Sequence, residues 1–132
     1  MKSKRARDSS RAFHLAAERC NEKRPLPGGQ IEILAIPAIV CEAFSIELAF
    51  KALLIDALKS HDLKKLFDGL EPALKEKIIL ATGMAEGIFY SSLEAAAKSF
   101  DEWRYVHEKE ALSASTEFLS KLANAAQQVL SK

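Results

Sequence analysis

Arg104 and His107 stand three residues apart, a spacing that makes two side chains neighbours on a helix surface. A guanidinium can hold phosphate oxygens in its planar fork, and an imidazole can exchange a proton near neutral pH. Together they are candidates for proton-transfer chemistry at a phosphate, Arg104 binding the oxygens and His107 moving the proton. Arg104 shares a helix face with Phe89, Leu93, Ala97 and Phe100. A charge on such a face needs a partner, because burying it alone costs several kcal/mol and arginine keeps its proton. Glu47 is the preferred partner, since a carboxylate can take the guanidinium fork in two parallel hydrogen bonds.

Glu47 and Lys51 form a second pair, four residues apart in a long apolar stretch. At 100° per residue Glu42, Ser45 and Asp56 fall on one side of that helix and Glu47 and Lys51 on the other. One polar face is expected in solvent, the other against a neighbouring helix, a groove or a second subunit. The simpler reading of Glu47 and Lys51 is an exposed ion pair contributing roughly 0.2–0.5 kcal/mol. His61 and Asp62 mark a turn, where Ser60 is a plausible cap and Asp62 places negative charge at the positive end of a short helix. Trp103 and Tyr105 flank Arg104 and complete the set of candidate polar or binding residues. His14, in a basic helix, is a weaker candidate.

Other chemistries find no support in the sequence. Cys20 and Cys41 and the three histidines have no close metal-ligand spacing, so neither metal nor cofactor is implied. The cysteines read as small structural side chains of a reducing compartment. Neither a dinucleotide fingerprint nor a P-loop is present, and no serine has a nucleophile-elbow context.

These residues must be positioned by helices. No stretch alternates apolar and polar residues with a strand's period, so the expected fold is all-α: an antiparallel up-and-down bundle of four to five main helices plus short ones. A first helix is predicted from a cap at Ser9 or Ser10, with Ala12, Phe13, Ala16, Ala17 and Cys20 on its apolar face. Pro25 to Gly29 is a loop, and Ile31 to Ile36 is ambiguous. Pro37 then opens a long helix to about Lys59. A short helix follows through Leu70, then one from Ala73 to about Leu80. Thr82, Gly83 and Gly87 loosen the chain before a helix from Tyr90 or Ser91 to Glu108. The last helix, about Ser115 to Ser131, carries a stripe of Phe118, Leu119, Leu122, Ala126, Val129 and Leu130.

With 132 residues, 48% hydrophobic and 28% charged, the chain has the makeup of a single domain, 1–132, and not of a disordered or disulfide-scaffold protein. The net charge of +1 conceals an asymmetry: residues 1–24 hold eight basic and three acidic side chains, the remainder eleven and fifteen. Segment 1–8 is read as a flexible basic N-terminus. The opening residues lack the apolar core of a secretory signal, and the apolar stretch 36–58 carries Glu42, Glu47, Lys51 and Asp56, which a membrane span would not tolerate. A cytoplasmic location without membrane contact is expected.

The run Ser45-Ile46-Glu47-Leu48-Ala49-Phe50-Lys51-Ala52-Leu53-Leu54, then His61-Asp62-Leu63 with Leu66-Phe67, then Phe100 with Trp103-Arg104-Tyr105 and Glu108, resembles the HEPN superfamily of small helical domains. The likeness covers about half of the chain, residues 43 to 108. It implies a bundle of four or more helices, often a homodimer, in toxin–antitoxin, defence and RNA-processing systems, sometimes beside a nucleotidyltransferase or antitoxin partner. Many members are metal-independent ribonucleases in which an arginine and a histidine four to six residues apart meet across a dimer cleft. On this chain the resemblance assigns those roles to Arg104 and His107, with two residues between them and Tyr105 where a polar residue often follows the arginine. The shorter spacing favours a dimerising, non-catalytic interaction module in an RNA-linked stress or defence system. The alternatives are a metal-independent endoribonuclease acting through Arg104 and His107, and a small-ligand or peptide receptor lined by Glu47, Lys51, Trp103 and Arg104.

Overall fold

The computed structural model describes residues 2–22, 24–32, 35–55, 59–101 and 113–131, without the side chains of 2, 3, 24, 31, 32, 35, 36, 98–101 and 113–116. Within these residues the regular structure is α-helical apart from one minimal β-pair and a 3-10 turn at Pro27–Gly29 between its strands. The elements are α1 (Lys2–Cys20), β1 (Arg24–Pro25), β2 (Ile31–Glu32), α2 (Ala35–Leu53), α3 (Leu63–Asp68), α4 (Pro72–Thr82), α5 (Glu86–Asp101) and α6 (Ser113–Leu130). The loop expected at Pro25 to Gly29 is the tip of a small hairpin, with Arg24 opposite Glu32 and Pro25 opposite Ile31. Gly28 and Gly29 have φ of +84° and +79°, a region where residues with a Cβ are strained.

In the first half of the chain two boundaries differ from expectation by more than a turn, and both differences have physical causes. α1 begins at Lys2, so the basic segment 1–8 belongs to the helix from its second residue. Ser10 does not cap it: it lies mid-helix, and its buried hydroxyl bonds α2 instead of a helix-start N–H. α2 ends at Leu53, about a turn and a half short of Lys59. His61 bonds back to Glu47, and a helix continued to Lys59 would carry the chain about 18 Å beyond Glu47, leaving only two residues to return. Leu54 instead folds onto α3, where a Cβ on Gly69 would lie 3.1 Å from it.

Of the later helices, α4 follows its expected start and stop signals, whereas α3 is capped by a different residue and α5 starts earlier than expected. The carboxylate of Asp62, and not Ser60, caps α3, accepting from the backbone N–H of Lys64 at 2.9 Å and of Lys65 at 3.2 Å. Ser60 supports that cap, since its hydroxyl accepts from the N–H of Asp62. Pro72 starts α4, where its missing N–H leaves nothing unpaired. Gly83, at φ +72°, closes α4 in the left-handed conformation and donates to Leu80 O. Gly87 lies in the first turn of α5, which begins four residues before Tyr90.

Contact registers fix the directions of three helices. Ser10 meets Ser45 while His14 meets Glu42, so α1 and α2 are antiparallel. Arg7 meets Leu130 while Ser10 meets Gln127, so α1 and α6 are antiparallel as well. Consequently α2 and α6 run in the same direction. The core lies where α2, α3, α5 and α6 converge. One phenylalanine from each forms a chain of ring contacts: Phe50 to Phe67 at 5.7 Å, Phe67 to Phe89 at 5.1 Å and Phe89 to Phe118 at 5.7 Å. Such tilted and edge contacts add about 0.5–1.5 kcal/mol per pair beyond area burial. No helix among the described residues is long and apolar enough to cross a membrane.

Candidate functional site

α2 carries buried polar groups on both of its sides, which corrects the expectation that one face would be in solvent. Glu42, Ser45 and Glu47 are all buried, because α1 covers the first side and the segment leading into α3 covers the second. The chemistry of the helix is therefore decided by internal partners.

On the first side, two serines bond reciprocally across α1 and α2. Ser10 Oγ donates to Ser45 O at 2.6 Å and Ser45 Oγ donates to Ser10 O at 2.8 Å. Gln127 Nε2 of α6 donates to Ser10 Oγ at 2.8 Å, so one hydroxyl joins three helices. A turn further along α1, His14 Nδ1 lies 2.8 Å from Glu42 Oε1, and its Nε2 lies 3.1 Å from Glu18 Oε1. Burial pushes the Glu42 carboxyl above its ordinary value, opposed by the hydrogen bond and charge of His14. Ser10, Gln127 and the pairing of His14 with Glu42 were not identified from sequence. The signal was the spacing Ser10, His14, Ala17, a helical i, i+4, i+7 set with Ala17 fully buried.

On the second side is the candidate site. Glu47 Oε2 accepts from Lys51 Nζ at 3.1 Å, one turn along the same helix. The same oxygen lies 3.1 Å from His61 Nδ1, and Oε1 lies 3.3 Å from it. The pair expected as a surface contact is thus a buried carboxylate: its side chain is 5% exposed, against 29% for Lys51 and 80% for His61. The position of His61 follows from the cap, because Asp62 fixes the first turn of α3 and leaves the preceding residue facing α2. Asp62 itself spends its carboxylate on that cap and stays out of the cluster. Among the described residues no buried side-chain nitrogen or oxygen lacks a hydrogen bond.

Chemically, Glu47 holds the imidazole of His61 by one nitrogen and leaves the ring exposed, with the Lys51 cation alongside. The arrangement fastens the turn between α2 and α3 to the middle of α2. No group of three or more His, Cys, Asp or Glu residues among the described residues could hold a metal ion. Cys20 and Cys41 are free, half-buried thiols, and burial pushes Cys41 up, with the neighbouring Cys20 adding to the effect.

The structure therefore brings together Glu47, Lys51 and His61 and places Asp62 next to them in a separate, capping role. Trp103, Arg104, Tyr105 and His107 lie outside the described residues, as does Asp56. The fork from Arg104 to Glu47 falls outside them too, while Lys51 and His61 already engage both carboxylate oxygens. Compared with known proteins, the chain matches no family model, no curated protein and no solved structure.

Proposed function

We propose that this chain is a HEPN-like helical interaction module that dimerises and serves an RNA-linked stress, toxin–antitoxin or defence system without cleaving RNA itself. The observation that carries this reading is the convergence of the resembling stretches on Glu47. Ser45 to Leu54 supplies Glu47 and Lys51, and the stretch His61-Asp62-Leu63 supplies the imidazole that returns to the same carboxylate. Leu63, Leu66 and Phe67, from the same stretch, are fully buried in the core beside Phe50. A carboxylate used in this way fastens the fold, and that suits a module whose surfaces bind partners.

The test is a pair of measurements on the purified chain. Light scattering after size-exclusion chromatography should give twice the chain mass of 14.6 kDa. Incubation with single-stranded RNA in EDTA should leave the RNA intact. Cleavage that persists in EDTA and disappears in His107→Ala, at unchanged helicity and melting temperature, would replace this reading with the metal-independent endoribonuclease, Arg104 holding phosphate and His107 moving the proton.

A further inference from the structure

A groove of about 570 Å³ runs where the end of α2, α4 and α6 meet the start of α1, and none of the residues of the Glu47 cluster lines it. Its apolar lining is aliphatic: Leu53 from α2, Leu74, Leu80 and Ala81 from α4, and Val129 from α6. Leu80 is 72% exposed, so a large apolar side chain stands at the groove without cover from the described residues. Among the described residues the polar lining is Arg7, Lys77 and Gln128, with no acidic side chain. Arg7 gives one guanidinium nitrogen to Leu130 O, which holds the group in place and leaves its other donors available. Lys77 has no ion-pair partner among the described residues, and its helical neighbours at three and four residues are Leu74, Leu80, Ala73 and Ala81.

We infer that this groove binds an anionic amphiphile, a linear aliphatic chain ending in a carboxylate. Two cations that no acid of the described lining compensates select a negative head group. The aliphatic walls suit an apolar hydrocarbon chain, and a groove of this size lies within the range of small-molecule sites. An extended peptide fits less well, because its main-chain N–H and C=O groups would meet helices whose own backbone is already paired, with Gln128 the one amide on hand. The head group belongs at Arg7 and Lys77, the chain along Leu53, Leu74 and Val129. This site is independent of the dimer and RNA readings and stands or falls separately from them.

Isothermal titration of the full chain with decanoate, below its micellar concentration, tests the assignment. Saturable one-to-one binding is expected, at least tenfold weaker for decyltrimethylammonium and for butyrate. Lys77→Glu should weaken decanoate at least tenfold, and Ala81→Trp, which fills the groove, should abolish it, with circular dichroism confirming that each variant is folded. Lys77 is exposed, so its variant keeps the test decisive if Ala81→Trp does not fold. Absence of saturable binding, equal binding of the cationic amphiphile, an unchanged affinity in Lys77→Glu, or binding of an acidic peptide in place of decanoate overturns the proposal.

Discussion

Removing the acid from the Glu47 cluster should cost less than removing its two partners, and the exposures show why. Glu47 is almost entirely sequestered, whereas Lys51 keeps about a third of its surface in water and His61 most of it, at 5%, 29% and 80% exposed. In Glu47→Gln the two donors turn to solvent. What is lost is the attraction of a partly exposed pair, about 0–1 kcal/mol, offset by relief of a buried charge. In Lys51→Met/His61→Ala the carboxylate stays buried without either donor. An unsatisfied buried group costs about 1–3 kcal/mol, and more when charged, so the double variant should lose roughly 2–4 kcal/mol. Adding Glu47→Gln to it should recover most of that loss, because the stranded charge disappears. Urea unfolding followed by far-ultraviolet circular dichroism, with one shared slope, measures all three variants. If Glu47→Gln is as destabilising as the double variant, or the triple variant recovers nothing, the cluster does not hold a desolvated carboxylate and its assignment as a fastening fails.

Ser10→Ala removes a hydroxyl that donates to Ser45 O and accepts from Gln127; it should cost about 1–3 kcal/mol, and a double-mutant cycle with Gln127→Ala should show coupling in thermal melts. Phe67→Ala removes a fully buried ring that touches Phe50, Phe89 and Tyr90 and should cost about 3–5 kcal/mol, seen as a lower urea midpoint. The carboxyl of Glu42, pushed up by burial from the ordinary 4.5, binds its proton more tightly in the folded chain than in the unfolded one. Its contribution to stability is therefore fully present below 4.5 and is lost as pH rises through the raised folded value. Stability measured across this window should fall less with rising pH in Glu42→Gln than in the unsubstituted chain; an identical slope in both would contradict the burial argument.

Helix identity was legible in the sequence because it depends on periodicity and on local stop signals. The stripe of Phe118, Leu119, Leu122, Ala126 and Leu130 is buried as its spacing predicts, with Val129 of the same stripe partly buried against it, and Pro72 and Gly83 bound α4 by chemistry confined to single residues. Helix length was less legible where a distant contact decides it. Nothing local ends α2 at Leu53, since Leu54, Ile55, Ala57 and Leu58 continue an apolar helical pattern; the end is imposed by His61 reaching back to Glu47. Nothing local makes Ser10 a buried residue either, because serine at the start of an apolar run is the usual mark of a cap.

The same distinction separates what the candidate site revealed from what it concealed. Glu47 and Lys51 could be recognised as a pair from their four-residue spacing, but a spacing carries no information on solvent, and solvent is what separates a weak surface pair from a buried charge. Their burial depends on His61, eight residues beyond the end of α2, and on Asp62, which fixes the first turn of α3. A polar helix face opposite another polar face was the available clue. One helix can satisfy both only if separate elements cover the two sides, as α1 does at Ser45 and Glu42 and the entry to α3 does at Glu47. The two polar sides of α2 therefore define its neighbours: each buried acid requires a donor from another segment, and those donors, His14 and His61, fix how α1 and α3 dock.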